Sequence, residues 1–144
     1  MQETINPLDT WHRTITQSDP SGLYEILDDS FQFFSPAIFK SKEKYMGYIY
    51  LLAASQAFLT SDFKYTKKII DKKEAVLEFE CTMDGVTVNG IDMFTWNDEN
   101  KLTEMKVMIR TPKALEAVKT EMTKHLSRPE LWRWLQSFNT YIEY

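Results

Sequence analysis

The sequence predicts one α+β domain in which helices pack against a curved sheet around a single apolar pocket. Helical patterns early in the chain and a run of alternating strands late in it indicate this class. The length of 144 residues suits a single domain that buries its own core. Aromatic residues make up 14% of the chain, which favours a ring-lined pocket, a buried interface or simply a ring-rich core.

The first helix is predicted to begin at Asn6-Pro7, because asparagine caps helices and proline suits the first turn. Its apolar side chains recur at helical spacing, and they are Leu8, Trp11 and Ile15. The segment 19–22 ends this helix and opens a second short one. The apolar side of that short helix carries Leu23, Ile26 and Leu27.

A strand and a long helix are predicted next. Residues 28–30 form a turn, residues 31–35 form the strand, and Pro36 stops it. Ser41 caps a helix that continues to about residue 58. This helix is apolar around much of its circumference, so we expect it to be mostly buried.

Four strands follow, and they are predicted at residues 63–72, 75–83, 86–96 and 102–110. The second of them alternates cleanly, because apolar residues occupy one parity and Glu78, Glu80 and Thr82 the other. Asp84-Gly85 and residues 97–100 supply the hairpin turns. Thr111-Pro112 then starts a helix, whose apolar stripe consists of Leu115, Val118, Met122 and Leu126.

Composition excludes several classes of function. The net charge of −4 argues against a nucleic-acid partner, which needs a basic face. One cysteine, Cys81, excludes an intramolecular disulfide, and two separated histidines do not form a metal cluster, so we expect no metal and no cofactor. No apolar run approaches the length that spans a membrane, and the first residues lack a signal-peptide pattern. We therefore expect a cytoplasmic protein without a membrane partner.

Asp92 is the most informative position. Its parity on the predicted strand 86–96 is otherwise apolar, so the carboxyl is expected to point into the domain. Burial would raise its pKa, and the group could then act as an acid, a base or a hydrogen-bond donor near neutral pH. Two alternatives remain open: a buried structural acid satisfied by Tyr, Trp or backbone donors, and a carboxyl that faces solvent. Gly90, on the same face, leaves room for a ligand or marks a bulge.

A family resemblance rests on two stretches. Residues 90–105 with Arg110-Thr111-Pro112 resemble the last strand hairpin of SnoaL-like proteins, in the nuclear transport factor 2-like superfamily of ketosteroid isomerases and limonene epoxide hydrolases. The opening is similar to the same group in Trp11, Asp19, the segment 23–29 and Pro36. The resemblance spans about residues 6–126 as one SnoaL-like domain. It implies a cone-shaped, cystatin-like roll with a strongly bent sheet, an internal pocket open at its wide end, and a homodimer.

The resemblance carries over only part of the isomerase site. Asp92 falls where ketosteroid isomerases keep a protonated aspartic acid in the oxyanion hole, and where related cyclases place an acid–base aspartate. The isomerases' general base should precede the proline that ends the first strand, but Ser35 stands there, before Pro36. Their oxyanion tyrosine falls near Trp11 or His12. With two of three groups missing, we do not expect steroid isomerisation, and the residue set of the epoxide hydrolases is not found either.

The predicted ligand-binding residues gather around this pocket, and they are Trp11, His12, Ser35, Tyr45, Tyr48, Gly90 and Asp92. His12 is offset from the apolar stripe of its helix, so it lies at the pocket rim or in water. Tyr45 and Tyr48 lie on adjacent turns of a helix that helps to enclose the cavity in this architecture, although core or interface packing is the alternative for each.

Residues 127–144 extend past the usual end of the family as an aromatic helical extension of the same domain. Their apolar side chains are Leu131, Trp132, Trp134, Leu135, Phe138, Tyr141 and Ile142. Surface of this kind must be covered, by packing on its own sheet, by a second subunit, or by acting as a lid on the pocket.

Three functions remain open from the sequence. The first is acid–base chemistry centred on Asp92, such as isomerisation, cyclisation, dehydration or hydrolysis of a small apolar molecule. The second is a non-catalytic protein of the same fold that binds a small apolar ligand. The third is a dimeric interaction module that uses the aromatic C-terminal segment.

Overall fold

The computed structural model describes residues 6–127, so the predicted aromatic extension lies outside the described residues except for Ser127. Its helices are α1 (Pro7–Gln17), α2 (Lys44–Ala57) and α3 (Pro112–Leu126), with a 3-10 turn at Tyr24–Ile26. Its strands are β1 (Leu27–Phe34), β2 (Lys42–Glu43), β3 (Lys64–Asp71), β4 (Glu74–Met83), β5 (Val86–Trp96) and β6 (Leu102–Arg110). The predicted α+β class is confirmed. Among these residues no helix is long and apolar enough to cross a membrane.

The six strands form one sheet in the order β2-β1-β6-β5-β4-β3. Strands β3 to β6 are joined by hairpins and pair antiparallel, as the alternating pattern predicted. β1 pairs parallel with β6, with Phe33 opposite Met105, and antiparallel with the two-residue strand β2. The sheet is therefore mostly antiparallel, and its single parallel pair brings the end of β1 beside β6.

The core lies between the helices and the inner face of the sheet. The predicted inward parity of β4 is buried, including Leu77, Phe79, Cys81 and Met83. Helix α1 begins as predicted, because the Asn6 side chain accepts a hydrogen bond from the backbone N–H of Leu8 at 2.9 Å. Helix α2 packs against β1 and α3, and α3 also packs against β4, β5 and β6.

The segment between α1 and β1 differs from the prediction. The expected second helix is only the 3-10 turn, and β1 already begins at Leu27, so the predicted turn at residues 28–30 belongs to the strand. The Asp28 carboxylate accepts hydrogen bonds from the Ser30 backbone N–H at 2.9 Å and from Asn97 Nδ2 at 2.9 Å. These hydrogen bonds satisfy the polar side chains of residues 28–30 inside the strand, so these turn-forming residues do not interrupt β1.

The start of α2 also differs. Ser41 does not cap this helix, because its hydroxyl donates to Gln32 Oε1 on β1 at 2.6 Å. Glu43 occupies the cap position without a side-chain cap bond. The serine therefore ties the loop after Pro36 to the sheet, and α2 begins at Lys44.

Candidate functional site: a buried aspartate beside an apolar cavity

Asp92 lies on the inner face of β5. Its side chain is 4% exposed, and its strand neighbours of the same parity, Gly90 and Phe94, are buried as well. Across the sheet it faces Leu77 on β4 and Val107 on β6. The alternative that Asp92 faces solvent is therefore wrong, because the inward parity of β5 carries it into the core.

A chain of two hydrogen bonds satisfies the Asp92 carboxyl. The Tyr65 hydroxyl donates to Asp92 Oδ2 at 2.6 Å, and the Trp11 indole Nε1–H donates to the Tyr65 hydroxyl oxygen at 2.8 Å. We call this arrangement the Trp11–Tyr65–Asp92 chain. It connects α1, β3 and β5, since each of its members comes from a different element. It contains the Tyr and Trp donors that the structural alternative for Asp92 required.

Burial dominates the electrostatics of this chain. Loss of solvent raises the pKa of Asp92 to about 7, although the hydrogen bonds from Tyr65 and Trp11 act in the opposite direction. Burial and then the nearby Asp92 charge raise the pKa of the Tyr65 hydroxyl well above its usual range. Tyr65 therefore stays protonated, and the Asp92 carboxyl changes its protonation state near neutral pH.

An apolar cavity of about 390 Å³ lies between α2, α3, the end of β1 and β6. Its lining is dominated by aliphatic and aromatic side chains, and it includes Phe33, Tyr50, Ala54, Phe58, Val107, Ile109, Leu115, Val118, Met122 and Leu126. Polar side chains line it at Ser35, Lys119 and Thr123. The end of β1 contributes through Phe33 and the segment after it, which the parallel pairing places against β6.

Asp92 and Gly90 lie next to this cavity without lining it. Their partners across the β5–β6 ladder, Val107 and Ile109, do line it. The space over Gly90 is filled, because a Cβ atom there would lie 2.6 Å from the Phe79 ring. Strand pairing also runs through Gly90 without a register shift, so the predicted room and the predicted bulge are both absent. Glycine is needed here because the Met108 backbone carbonyl oxygen and the Phe79 ring would lie 2.5 Å and 2.6 Å from a Cβ atom.

The other predicted ligand-binding residues separate into different places. Ser35 lines the cavity, and its Oγ accepts a hydrogen bond from the Ala37 backbone N–H at 3.1 Å. Trp11 belongs to the hydrogen-bond chain, whereas His12 is exposed on the outer side of α1. The His12 ring stacks 6.4 Å from the ring of Tyr65, measured between centroids. It therefore lies beside the chain, on its solvent side.

The two tyrosines predicted on α2 do not line the cavity. Tyr48 is 3% exposed, and its ring contacts Tyr24 edge-on at 5.1 Å between centroids. Burial raises the pKa of its hydroxyl. Tyr45 packs against the hydrophobic core, and the tyrosine of α2 that does line the cavity is Tyr50.

Sequence reasoning missed Tyr65, which bonds directly to Asp92. Its signal is weak: Phe63 and Tyr65 share one parity of the predicted strand 63–72, and half of the other residues of that strand are lysines. Cys81 is buried, and burial raises the pKa of its thiol. Within residues 6–127 no three or more His, Cys, Asp or Glu side chains form a group that could hold a metal ion.

Comparisons with known proteins place this geometry among solved structures. No family model and no curated protein matches the sequence. A steroid delta-isomerase from Pseudomonas aeruginosa is 29% identical, with 84% of this chain and 89% of that chain covered and a TM-score of 0.78. A protein with a cystatin-like fold from Silicibacter pomeroyi is 21% identical, with 90% of each chain covered and a TM-score of 0.76.

More distant structures carry the same fold. A putative SnoaL-like polyketide cyclase from Jannaschia is 12% identical, with 82% of this chain and 96% of that chain covered and a TM-score of 0.61. The predicted resemblance is confirmed: the chain has the fold of the SnoaL-like and nuclear transport factor 2-like superfamily.

Proposed function

We propose that the protein binds a small apolar molecule in the cavity between α2, α3 and the sheet. The observation that carries this proposal is the lining of a cavity of about 390 Å³, which is mainly aliphatic and aromatic with a few polar groups. Ligand sites in proteins have this size and composition. In the described part of the chain no carboxylate lines the cavity, so binding is favoured over acid–base chemistry at that place.

In this proposal the Trp11–Tyr65–Asp92 chain has a structural role. It fixes β3 and α1 to β5, and Asp92 is the direct cross-strand neighbour of Val107, which lines the cavity. A satisfied polar chain inside an apolar core restricts the packing of its surroundings. The Trp11–Tyr65–Asp92 chain therefore supports the sheet beside the cavity and needs no contact with the ligand.

Filling the cavity tests the proposal. Ala54 lines it from α2, so Ala54→Phe places a ring in the space and should weaken binding by at least about tenfold. Binding is measured by titrating a neutral solvatochromic dye such as Nile red and displacing it with decanol. Gln56→Phe adds the same ring at an exposed position of α2 outside the lining and should leave the affinity unchanged. Equal affinity of the two variants, or no binding by the wild type, would refute the proposal.

A second candidate function is acid–base catalysis by Asp92. Two observations favour it: burial raises the pKa of this carboxyl to about 7, and a steroid delta-isomerase is 29% identical. A carboxyl that is protonated near neutrality can donate a hydrogen bond to an oxyanion as it forms on a carbonyl substrate. Ser35 before Pro36 supplies no general base, so this candidate ranks second.

A direct assay separates the two candidates. Under the catalytic one, the protein converts a β,γ-unsaturated steroid ketone to its conjugated isomer, and Asp92→Asn slows the reaction by about a hundredfold or more. Under the binding proposal, the rate in the presence of the protein equals the rate with buffer alone. Absorption of the conjugated product measures the outcome.

A further inference from the structure

Among the described residues that line the cavity and the groove beside it, the charged side chains are all lysines. Lys119 is the charged residue among those that line it. A shallow groove continues from it around residues 35–41, and the charged residues there are Lys40 and Lys106. Within residues 6–127 no Asp or Glu lines either space, although the whole sequence has 21 acidic and 17 basic residues. The surroundings of the cavity therefore favour an anion, although the net charge of the whole sequence is negative.

Lys119 keeps most of its hydrogen-bonding capacity for a ligand. Its Nζ lies 3.3 Å from Glu116 Oε1 one turn earlier on α3. The lysine side chain is 50% exposed and the glutamate side chain 71%, so this surface pair contributes little to stability. An ammonium group has three donors, and Glu116 occupies one of them. The aliphatic stem of Lys119 can line the cavity while its charge stays at the rim.

Ser35 offers a second donor to the same space. Its Oγ already accepts the hydrogen bond of the Ala37 backbone N–H, and its own proton remains available to donate. Thr123, another polar residue of the lining, donates its hydroxyl proton to the Lys119 backbone carbonyl at 2.8 Å. The hydroxyl of Ser35 and the ammonium of Lys119 can therefore both donate to a ligand group that accepts hydrogen bonds.

We propose that the ligand is an apolar carboxylate, with its hydrocarbon body in the cavity and its carboxylate at the rim against Lys119. This rests on the proposed binding function and specifies the chemical class of its ligand. Binding is then the sum of burial of the hydrocarbon and a charge-assisted hydrogen bond at the mouth.

Three probes with the same chain length and different head groups test the proposal: decanoate, decanol and decylammonium. Each displaces the neutral dye from the wild-type protein at low salt. Decanoate should bind about tenfold more tightly than decanol, and decylammonium should bind more weakly than decanol. The advantage of decanoate should decrease as salt is added, because the charge of Lys119 is partly exposed.

Two variants locate the effect. Lys119→Met keeps an apolar stem of similar length and should bring the affinity for decanoate down to that for decanol. Lys113→Met removes the same charge from an exposed position of α3 outside the lining and should change neither affinity.

Equal affinities for decanoate and decanol in the wild type, or an unchanged preference in Lys119→Met, would overturn this inference while the binding function stood. Binding of none of the three probes would overturn the binding function itself.

Discussion

The Asp92 carboxyl should make the stability of the protein fall as the pH rises, and Asp92→Asn should remove that dependence. Burial raises the pKa of Asp92 from its ordinary value of 3.8 to about 7 in the folded protein. At about 1.4 kcal/mol for each pH unit, the difference corresponds to about 4 kcal/mol of unfolding free energy. That is a large part of the 5–15 kcal/mol that roughly describes natural domains.

The sign follows from which state holds the proton. Below about pH 4 the carboxyl is protonated in both states, so Asp92 takes nothing from the stability of the wild type there. Between about pH 4 and 7 the unfolded chain loses the proton while the folded protein retains it, and the free energy of unfolding falls. Above about pH 7 both states are ionised and the loss is complete. Asparagine has no such proton, so Asp92→Asn should gain about 4 kcal/mol relative to the wild type over this range.

Urea denaturation of both proteins from about pH 2 to about pH 8.5 measures this difference, and the comparison cancels the other titrating groups. Asp28→Asn is the control for sign. Hydrogen bonds from Ser30 hold the pKa of Asp28 below its ordinary value. Asp28→Asn should therefore be less stable than the wild type above about pH 4, and this difference should shrink as the pH falls below that value. A difference between Asp92→Asn and wild type that stays constant with pH would refute the reasoning. Titration of the Asp92 carboxyl carbon by NMR checks the pKa directly.

Three further changes have definite outcomes. Gly90→Ala should cost about 1–3 kcal/mol or more in urea denaturation, because its Cβ would lie 2.6 Å from the Phe79 ring. Tyr65→Phe should cost about 1–3 kcal/mol and raise the pKa of Asp92 further, which the same NMR titration measures. If residues 128–144 form the interface of the predicted homodimer, deleting them converts it to a monomer in sedimentation velocity, and an unchanged mass would exclude that segment as the interface.

Local signals made much of the fold predictable. The start of α1 is determined by Asn6 and Pro7, which act on their own backbone neighbourhood. The alternation in β4 and β5 identified which face is buried, including the inward position of Asp92. Caps and strand alternation depend on residues that are close together in the chain, so a single sequence is enough to predict them.

Pairing between distant segments was not predictable in the same way. The parallel pair of β1 and β6 joins Phe33 to Met105, and neither segment carries a pattern that specifies its partner. The same limit explains why Tyr65 was missed. It lies on a strand rich in exposed lysines, and its role depends on Trp11 and Asp92, which are 54 and 27 residues away in the chain. The cavity is built from four elements that are distant in the chain, so its lining could not be predicted from local patterns either.

The direction of the hydrogen bonds decides what Asp92 could do chemically. An indole N–H can only donate, so the Tyr65 oxygen accepts from Trp11 and its single proton goes to Asp92 Oδ2. If neutral Asp92 carried its proton on Oδ2, the Tyr65 proton would meet a carboxylic-acid hydroxyl oxygen, which is a weaker acceptor than a carbonyl oxygen. The proton of the neutral carboxyl therefore belongs on Oδ1, and catalysis requires Oδ1 to reach a substrate. Trp11→Phe removes the donor that imposes this direction, so under the structural role it should lower stability while leaving ligand affinity unchanged.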